Sequence, residues 1–236
     1  MEFHGAMLRI CGLYFTLRPA RWRSNLILYG YALSSASYRV RIALALKGLP
    51  VIDQPKQLRD GEQRREDYLQ INPQGLVPAL ALDDGEVLTQ SMAIIEFLDE
   101  MHPQPALLPA QPLARARVRA LTQAIACEVH PLNNLRVLQY LENTLGLDKP
   151  ARDAWYRHWI EVGFGSLERA LNRDSGTGRF CHGDAPSMAD VFLVPQVFNA
   201  RRFAVDLDRY PRIVAIDAAC RELPAFASTA PQRPPQ

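Results

Sequence analysis

No part of this chain approaches the roughly 18 to 20 consecutive apolar residues that a helix needs to cross a bilayer. The sequence therefore predicts a soluble protein with no membrane partner. Neither sign of charge is in excess: 27 lysines and arginines stand against 25 aspartates and glutamates, and the basic residues are interleaved with acids. That pattern offers no stripe to a nucleic-acid backbone and no polybasic patch to an anionic lipid surface. Cysteine is scarce and scattered, since Cys11, Cys127, Cys181 and Cys220 form no Cys-x-x-Cys pair and lie beside no ligand-spaced histidines. The spacing argues against a metal cluster and a dithiol redox site, and free thiols in a reducing cytoplasm are expected. A targeting peptide is also missing from the pattern: residues 1–24 carry Arg9, Arg18, Arg21 and Arg23, but the apolar run Leu13-Tyr14-Phe15 is short and no small-residue cleavage site follows. This segment is expected to be an extension outside the core, with the first strand starting at about Leu26.

What the chain does have is 236 residues with 48% apolar content, enough to bury a core in one large or two modest units. The run Leu26-Ile27-Leu28-Tyr29-Gly30-Tyr31 reads as a strand that delivers Ser34 and Ser35 to the start of an apolar helix. Arg39 and Arg41 lie in the first turns of that helix, where unpaired N–H groups and the helix dipole already supply positive charge. Such arginines call for a negative partner, and an anion at the helix mouth is one. The plain alternative is that Ser34 caps the helix and the arginines pair with surface acids.

Val51 to Gln57 suits a second strand, and the charged segment from Leu58 to Gln70 reads as a loop with a short helix. Two short apolar runs about Asp83-Asp84-Gly85 give a hairpin, which closes a four-stranded sheet. Pro78 opens its strand, and a cis Val77–Pro78 bond would turn the backbone of Val77 outward. From Gln90 the pattern is helical, with Ile94, Ile95 and Leu98 on one face. The expected organisation is a mixed α/β unit over 25–102, a Pro-rich linker over 103–112 and an all-α unit over 113–228. Helices are expected at about 113–144, 151–173, 187–199 and 211–223. Ser187-Met188-Ala189-Asp190 has capping-box spacing with Asp in place of Glu, a folding signal. The Pro- and Gln-rich tail, 229–236, is expected to be disordered.

A β-α-β, β-β-α unit followed by an all-α unit resembles the cytosolic glutathione transferases, whose first domain is thioredoxin-like. Ser34-Ser35-x-x-x-Arg39-Val40-Arg41-Ile42-Ala43-Leu44 is similar to the signature of the zeta class. Asn72-Pro73 to Pro78, Gln90-Ser91-x-Ala93-Ile94-Ile95-Glu96, Met188-Ala189-Asp190 and Leu193-Val194-Pro195-Gln196-Val197 follow in family order, so the resemblance covers about residues 26–228. It implies glutathione as cofactor, a homodimer, and thiolate addition to a cis-alkene that rotates and is released as the trans isomer. The implied substrate is a small dicarboxylate or β-diketo acid. Maleylacetoacetate, in tyrosine and homogentisate breakdown, is favoured; maleylpyruvate, small α-haloacids or a non-catalytic binding role are the alternatives.

The resemblance also assigns residues. Ser34 and Ser35 stabilise the sulfur, with Arg39 as a nearby cation; the family's usual Cys after the serine pair is Ala36 here. Gln90 and Ser91 grip the γ-glutamyl carboxylate, the main chain of Val77 pairs with the cysteinyl unit, and Gln63 reaches the glycyl end. In His130-Pro131-Leu132-Asn133-Asn134-Leu135-Arg136, placed on the first long helix of the second unit, His130, Asn134 and Arg136 line the cleft. Arg202, in Asn199-Ala200-Arg201-Arg202-Phe203, faces the substrate. Some maleylpyruvate isomerases carry arginines where this chain has Leu33 and Leu135, which moves the expectation towards maleylacetoacetate.

Overall fold

The computed structural model describes residues 25–231 and, before them, two strand pieces, β1 (Arg9–Ile10) and β2 (Leu13–Tyr14). These two pair antiparallel as a sheet of their own, separate from the main one. A strand thus precedes Leu26, contrary to expectation, although it adds nothing to the main sheet. The rest of 1–24 and the tail 232–236 lie outside the described residues.

β3 (Leu26–Gly30) buries alternate residues and sits inside a four-stranded sheet ordered β4-β3-β5-β6. β4 (Val51–Pro55) runs parallel to β3, which requires a crossover, and α1 (Ser35–Leu46) supplies it. The expected hairpin forms from β5 (Ala79–Ala81) and β6 (Val87–Thr89), both antiparallel to their neighbours. The charged segment 58–70 folds as two 3-10 turns, Leu58–Asp60 and Glu62–Arg64, and the short α2 (Glu66–Leu69).

α1 is buried almost all round because it lies between the sheet and the helical unit. It packs on α3 (Ser91–Met101) on one side, and on α7 (Met188–Arg202) and α9 (Pro224–Ala227) on the other. Gly48 ends it at φ 65°, a left-handed conformation that costs glycine little. A single apolar core consequently runs from Leu28 and Ile95 through Val40 to Phe164 and Ile213.

The helix expected over 113–144 is two helices, α4 (Pro112–Ala126) and α5 (Leu135–Asn143). Pro131 has no N–H to continue the ladder and its ring clashes with the preceding turn. Asn134 then restarts the chain by accepting the Arg136 N–H at 3.1 Å. His130 therefore lies in the turn between the helices, not on a helix. α6 (Lys149–Arg173) is close to expectation, whereas α7 runs past Asn199 and carries Arg202 on its last turn. Asp190 caps α7 by accepting from Ser187 N–H and Oγ–H at 2.8 and 2.7 Å, in the expected folding role. α8 (Pro211–Arg221) and α9 complete the unit. Thr229 donates to Ala225 O at 2.7 Å, so the chain stays tied to α9 through the first residues of the tail expected to be disordered.

The linker is held, not loose. Lys47 Nζ, with a fully buried side chain, donates to Asp99 Oδ1 and His102 O at 2.6 Å. Asp99 in turn accepts the N–H groups of Leu107 and Leu108 at 2.8 and 3.2 Å. Met188 N–H donates to Leu107 O at 2.8 Å, which docks the linker on the start of α7.

Candidate active site

Between the two units opens a cleft of about 350 Å³. Its floor is the start of α1. Ser34 has extended φ/ψ of −73° and 117°, and its Oγ accepts the Ser37 N–H at 3.2 Å. The capping reading therefore holds, and it leaves the Ser34 O–H proton available to an anion at the helix mouth. Ser35 Oγ lies 3.2 Å from His130 Nδ1, joining the floor to the helical unit. Burial, with the charges of Arg39 and Arg136 nearby, pushes the His130 imidazole down to about 3. It is neutral at physiological pH, so one ring nitrogen is an acceptor.

Ser34, Ser35, Gln63, Val77, His130, Asn134, Arg136 and Arg202 all lie on the cleft wall. Gln63 is only 6% exposed; its Nε2 donates to Leu58 O at 3.3 Å and its Oε1 has no partner. The Val77–Pro78 bond is cis. Val77 lies outside the β3–β5 register, and among the described residues its amide and carbonyl have no backbone partner.

Three expected ligand residues are not on the wall. Arg39, 1% exposed, lies one turn deeper than Ser35 on the same helix face, so its guanidinium passes beneath the cleft floor. It donates to Ser91 Oγ at 3.4 Å and sits 4.3 Å above the Phe192 ring, while Nε and its other terminal nitrogen have no partner. Burial lowers it to about 9, so it remains a cation at neutral pH. Arg41 likewise forms no ion pair among the described residues: it donates to Ala32 O at 3.0 Å, with the Asp53 carboxylate nearby but not bonded to it. Ser91 is buried against Arg39, and Gln90, exposed, joins the wall only by donating to the lining residue Gln74 at Oε1, 2.7 Å away. Gln90 holds φ 67°, an uncommon left-handed value for a side-chain-bearing residue, at the start of an α3 that no side chain caps.

The wall also holds residues that the sequence did not single out. Arg59 and Arg64 come from the 3-10 turns, where sequence pattern shows only a charged loop. With Arg136 and Arg202 they make four lining arginines, none in an ion pair among the described residues, and no Asp or Glu lines the cleft. Arg64 donates to Gln139 Oε1 at 2.9 Å across the mouth. Arg202 donates to Asn199 Oδ1 at 3.2 Å and lies beside the Phe198 and Phe203 rings. Tyr156 forms part of the back wall, its ring stacked on Phe203 with centroids 3.6 Å apart. In sequence it reads as one more core aromatic of a long helix. A cleft of unbalanced positive charge beside a hydroxyl-bearing helix start is the result.

The chain matches the family models of the glutathione S-transferase N-terminal domain at residues 33–101 and C-terminal domain at residues 153–216. It is 50% identical to a Ralstonia maleylpyruvate isomerase, over 88% of this chain and 98% of that protein. Against a probable maleylacetoacetate isomerase of Vibrio cholerae the identity is 48%, over 89% and 98%. Among solved structures, a bacterial zeta-class maleyl pyruvate isomerase in holo form superposes with a TM-score of 0.85 at 49% identity, covering 87% of this chain and 96% of the other. The maleylacetoacetate isomerase of Methylobacterium extorquens, solved with malonate and glutathione, gives 0.86 at 42% identity, covering 89% and 98%. With its mixed sheet, helical second unit and serine-bearing first helix, the chain belongs to the zeta class of the glutathione S-transferase family.

Proposed function

We propose that this chain is a glutathione-dependent cis–trans isomerase that converts maleylacetoacetate to fumarylacetoacetate. The observation that carries the reading is the cleft itself, which among the described residues has four arginines without an ion pair, no lining carboxylate and the Ser34 hydroxyl at its floor. A substrate with two carboxylates separated by an oxygen-rich chain suits that distribution of charge.

The chain's own groups fit the cofactor. Val77 offers an unpaired amide and carbonyl to a peptide, Gln63 a buried unpaired oxygen, and α3 an uncapped N-terminus beside Gln74 and Gln90. When bound, glutathione supplies a thiolate that adds to the double bond and is released after rotation. Ser34 donates to the sulfur and favours its ionised form, while the α1 N-terminus adds its dipole. Arg39 acts from below as a buried cation and not as a direct ligand. Arg202 and Arg136 hold carboxylate groups, and His130 fixes Ser35.

Maleylpyruvate is the second reading, favoured by the Ralstonia and zeta-class relatives of that name. Leu33 and Leu135 weigh against it, since both line the cleft as apolar surface where the resemblance puts arginines. A homodimer, a cytoplasmic location and a place in tyrosine and homogentisate breakdown complete the proposal and rest on the resemblance. The described helices include none long and apolar enough to cross a membrane. The test is turnover of maleylacetoacetate and maleylpyruvate in parallel, with and without glutathione. Glutathione-dependent turnover favouring maleylacetoacetate supports the first reading, preference for maleylpyruvate selects the second, and activity on neither overturns both.

A further inference from the structure

The Tyr156 hydroxyl has no assigned task and an unusual setting. The residue is 5% exposed, and a buried tyrosine O–H ordinarily finds a hydrogen-bond partner. Here no described residue bonds it, yet the oxygen is not among the fully enclosed, unpartnered polar atoms, which puts it on the cleft surface that Tyr156 helps to line. The ring cannot easily turn away. Phe203 stacks on it with planes 8° apart, and the Tyr156 carbonyl accepts from Asn133 Nδ2 at 3.1 Å. Burial raises the phenol to about 12, against the pull of Arg202 and Arg39, so the proton stays on oxygen. A rigid, protonated, unpaired donor therefore stands in a cleft of unbalanced positive charge.

We infer that Tyr156 donates a hydrogen bond to the ketone oxygen of the substrate and stabilises the negative charge that develops there. The inference rests on the isomerase reading and assigns the conjugated carbonyl, as distinct from the carboxylates that the arginines hold. The phenolic O–H stays intact throughout. The electron pair displaced onto the ketone oxygen as the C–S bond forms returns to re-form the double bond as that bond breaks, so nothing is oxidised or reduced. A preorganised donor of this kind is worth more in the charge-developed state than in the ground state.

The test is Tyr156→Phe, which keeps the ring and its stacking. Two probes that cannot isomerise are bound by calorimetry to the variant and the parent protein: acetopyruvate, which carries ketones and a carboxylate, and malonate, which has carboxylates only. The expected result is about tenfold weaker acetopyruvate binding with malonate unchanged. Turnover should fall about 100-fold, with glutathione affinity unaltered. Unchanged acetopyruvate binding, or equal weakening of both probes, would overturn the assignment. Absence of isomerisation by the parent protein would sink the isomerase reading instead, while the two-probe comparison would still decide the tyrosine.

Discussion

In the proposed reaction Ser34 Oγ serves as acceptor and donor at once, because the Ser37 N–H occupies a lone pair and leaves the hydroxyl proton free to turn towards sulfur. Ser34→Ala removes both functions. We expect turnover to drop about 100-fold, with glutathione affinity changing far less, and stability to fall by about 1 kcal/mol from the lost cap. Steady-state kinetics with glutathione titration measure the first, and urea unfolding the second. Unchanged turnover would transfer the donor role to Ser35. His130 supports a different expectation. Its imidazole is held at about 3, whereas in an unfolded chain it takes its ordinary 6.5. Below pH 6.5 the unfolded state binds a proton that the folded state refuses, so stability is full above 6.5 and declines as pH falls towards 3, by about 1 kcal/mol per unit. Unfolding at pH 7, 6, 5 and 4 should show this slope, and His130→Gln should flatten it. By the same token, a rise in isomerase rate between pH 5 and 8 would report the thiol and not His130.

Local signals were legible where the chain itself carries them: the cap before α1, the hairpin β5–β6, the Asp190 cap of α7 and the serine motif all depend on neighbours in sequence. The break between α4 and α5 was harder, because apolar spacing continues through Leu121, Ile125 and Val129 into the turn. Pro131 was the available sign, but a long-range contact shapes the turn. A Cβ on Gly163 of α6 would stand 2.2 Å from Val129 Cγ2, so only glycine lets that helix approach the segment carrying His130. Gly163→Ala should cost about 1–3 kcal/mol and disturb the Ser35–His130 contact. Combining it with Val129→Ala should recover part of the loss, as a thermal-unfolding double-mutant cycle can read. Independent, additive losses would disprove the contact. Arg39 shows the complementary failure: the motif pointed to a cation near the proposed anion site, but its depth became visible only with Ser91 and Phe192 in place.

The cleft belongs to neither unit alone, since its floor comes from α1, one rim from the turns at 58–64 and the opposite wall from α5, α6 and α7. Tyr156, Arg59 and Arg64 were invisible in sequence for this reason: Tyr156 gains its meaning from Phe203 and Arg64 from Gln139, each on a distant element, and Arg59 from the cleft wall it shares with them. The spacing between the walls depends on how the linker joins the units, and Asp99 decides that geometry. Its carboxylate neutralises the buried Lys47 ammonium and accepts two linker amides, so its loss strands a charge and two donors together. Asp99→Ala should destabilise the protein by about 3–5 kcal/mol, measured by urea unfolding. Hydrogen exchange at the Leu107 and Leu108 amides should accelerate beyond that of β3, although neither touches the cleft. If a surface-like loss below about 1 kcal/mol were found instead, with linker exchange unchanged, the Lys47–Asp99 pair would not fix the linker. The wall spacing would then have to come from the apolar contact of α1 with α7, which is continuous with the core and independent of charge.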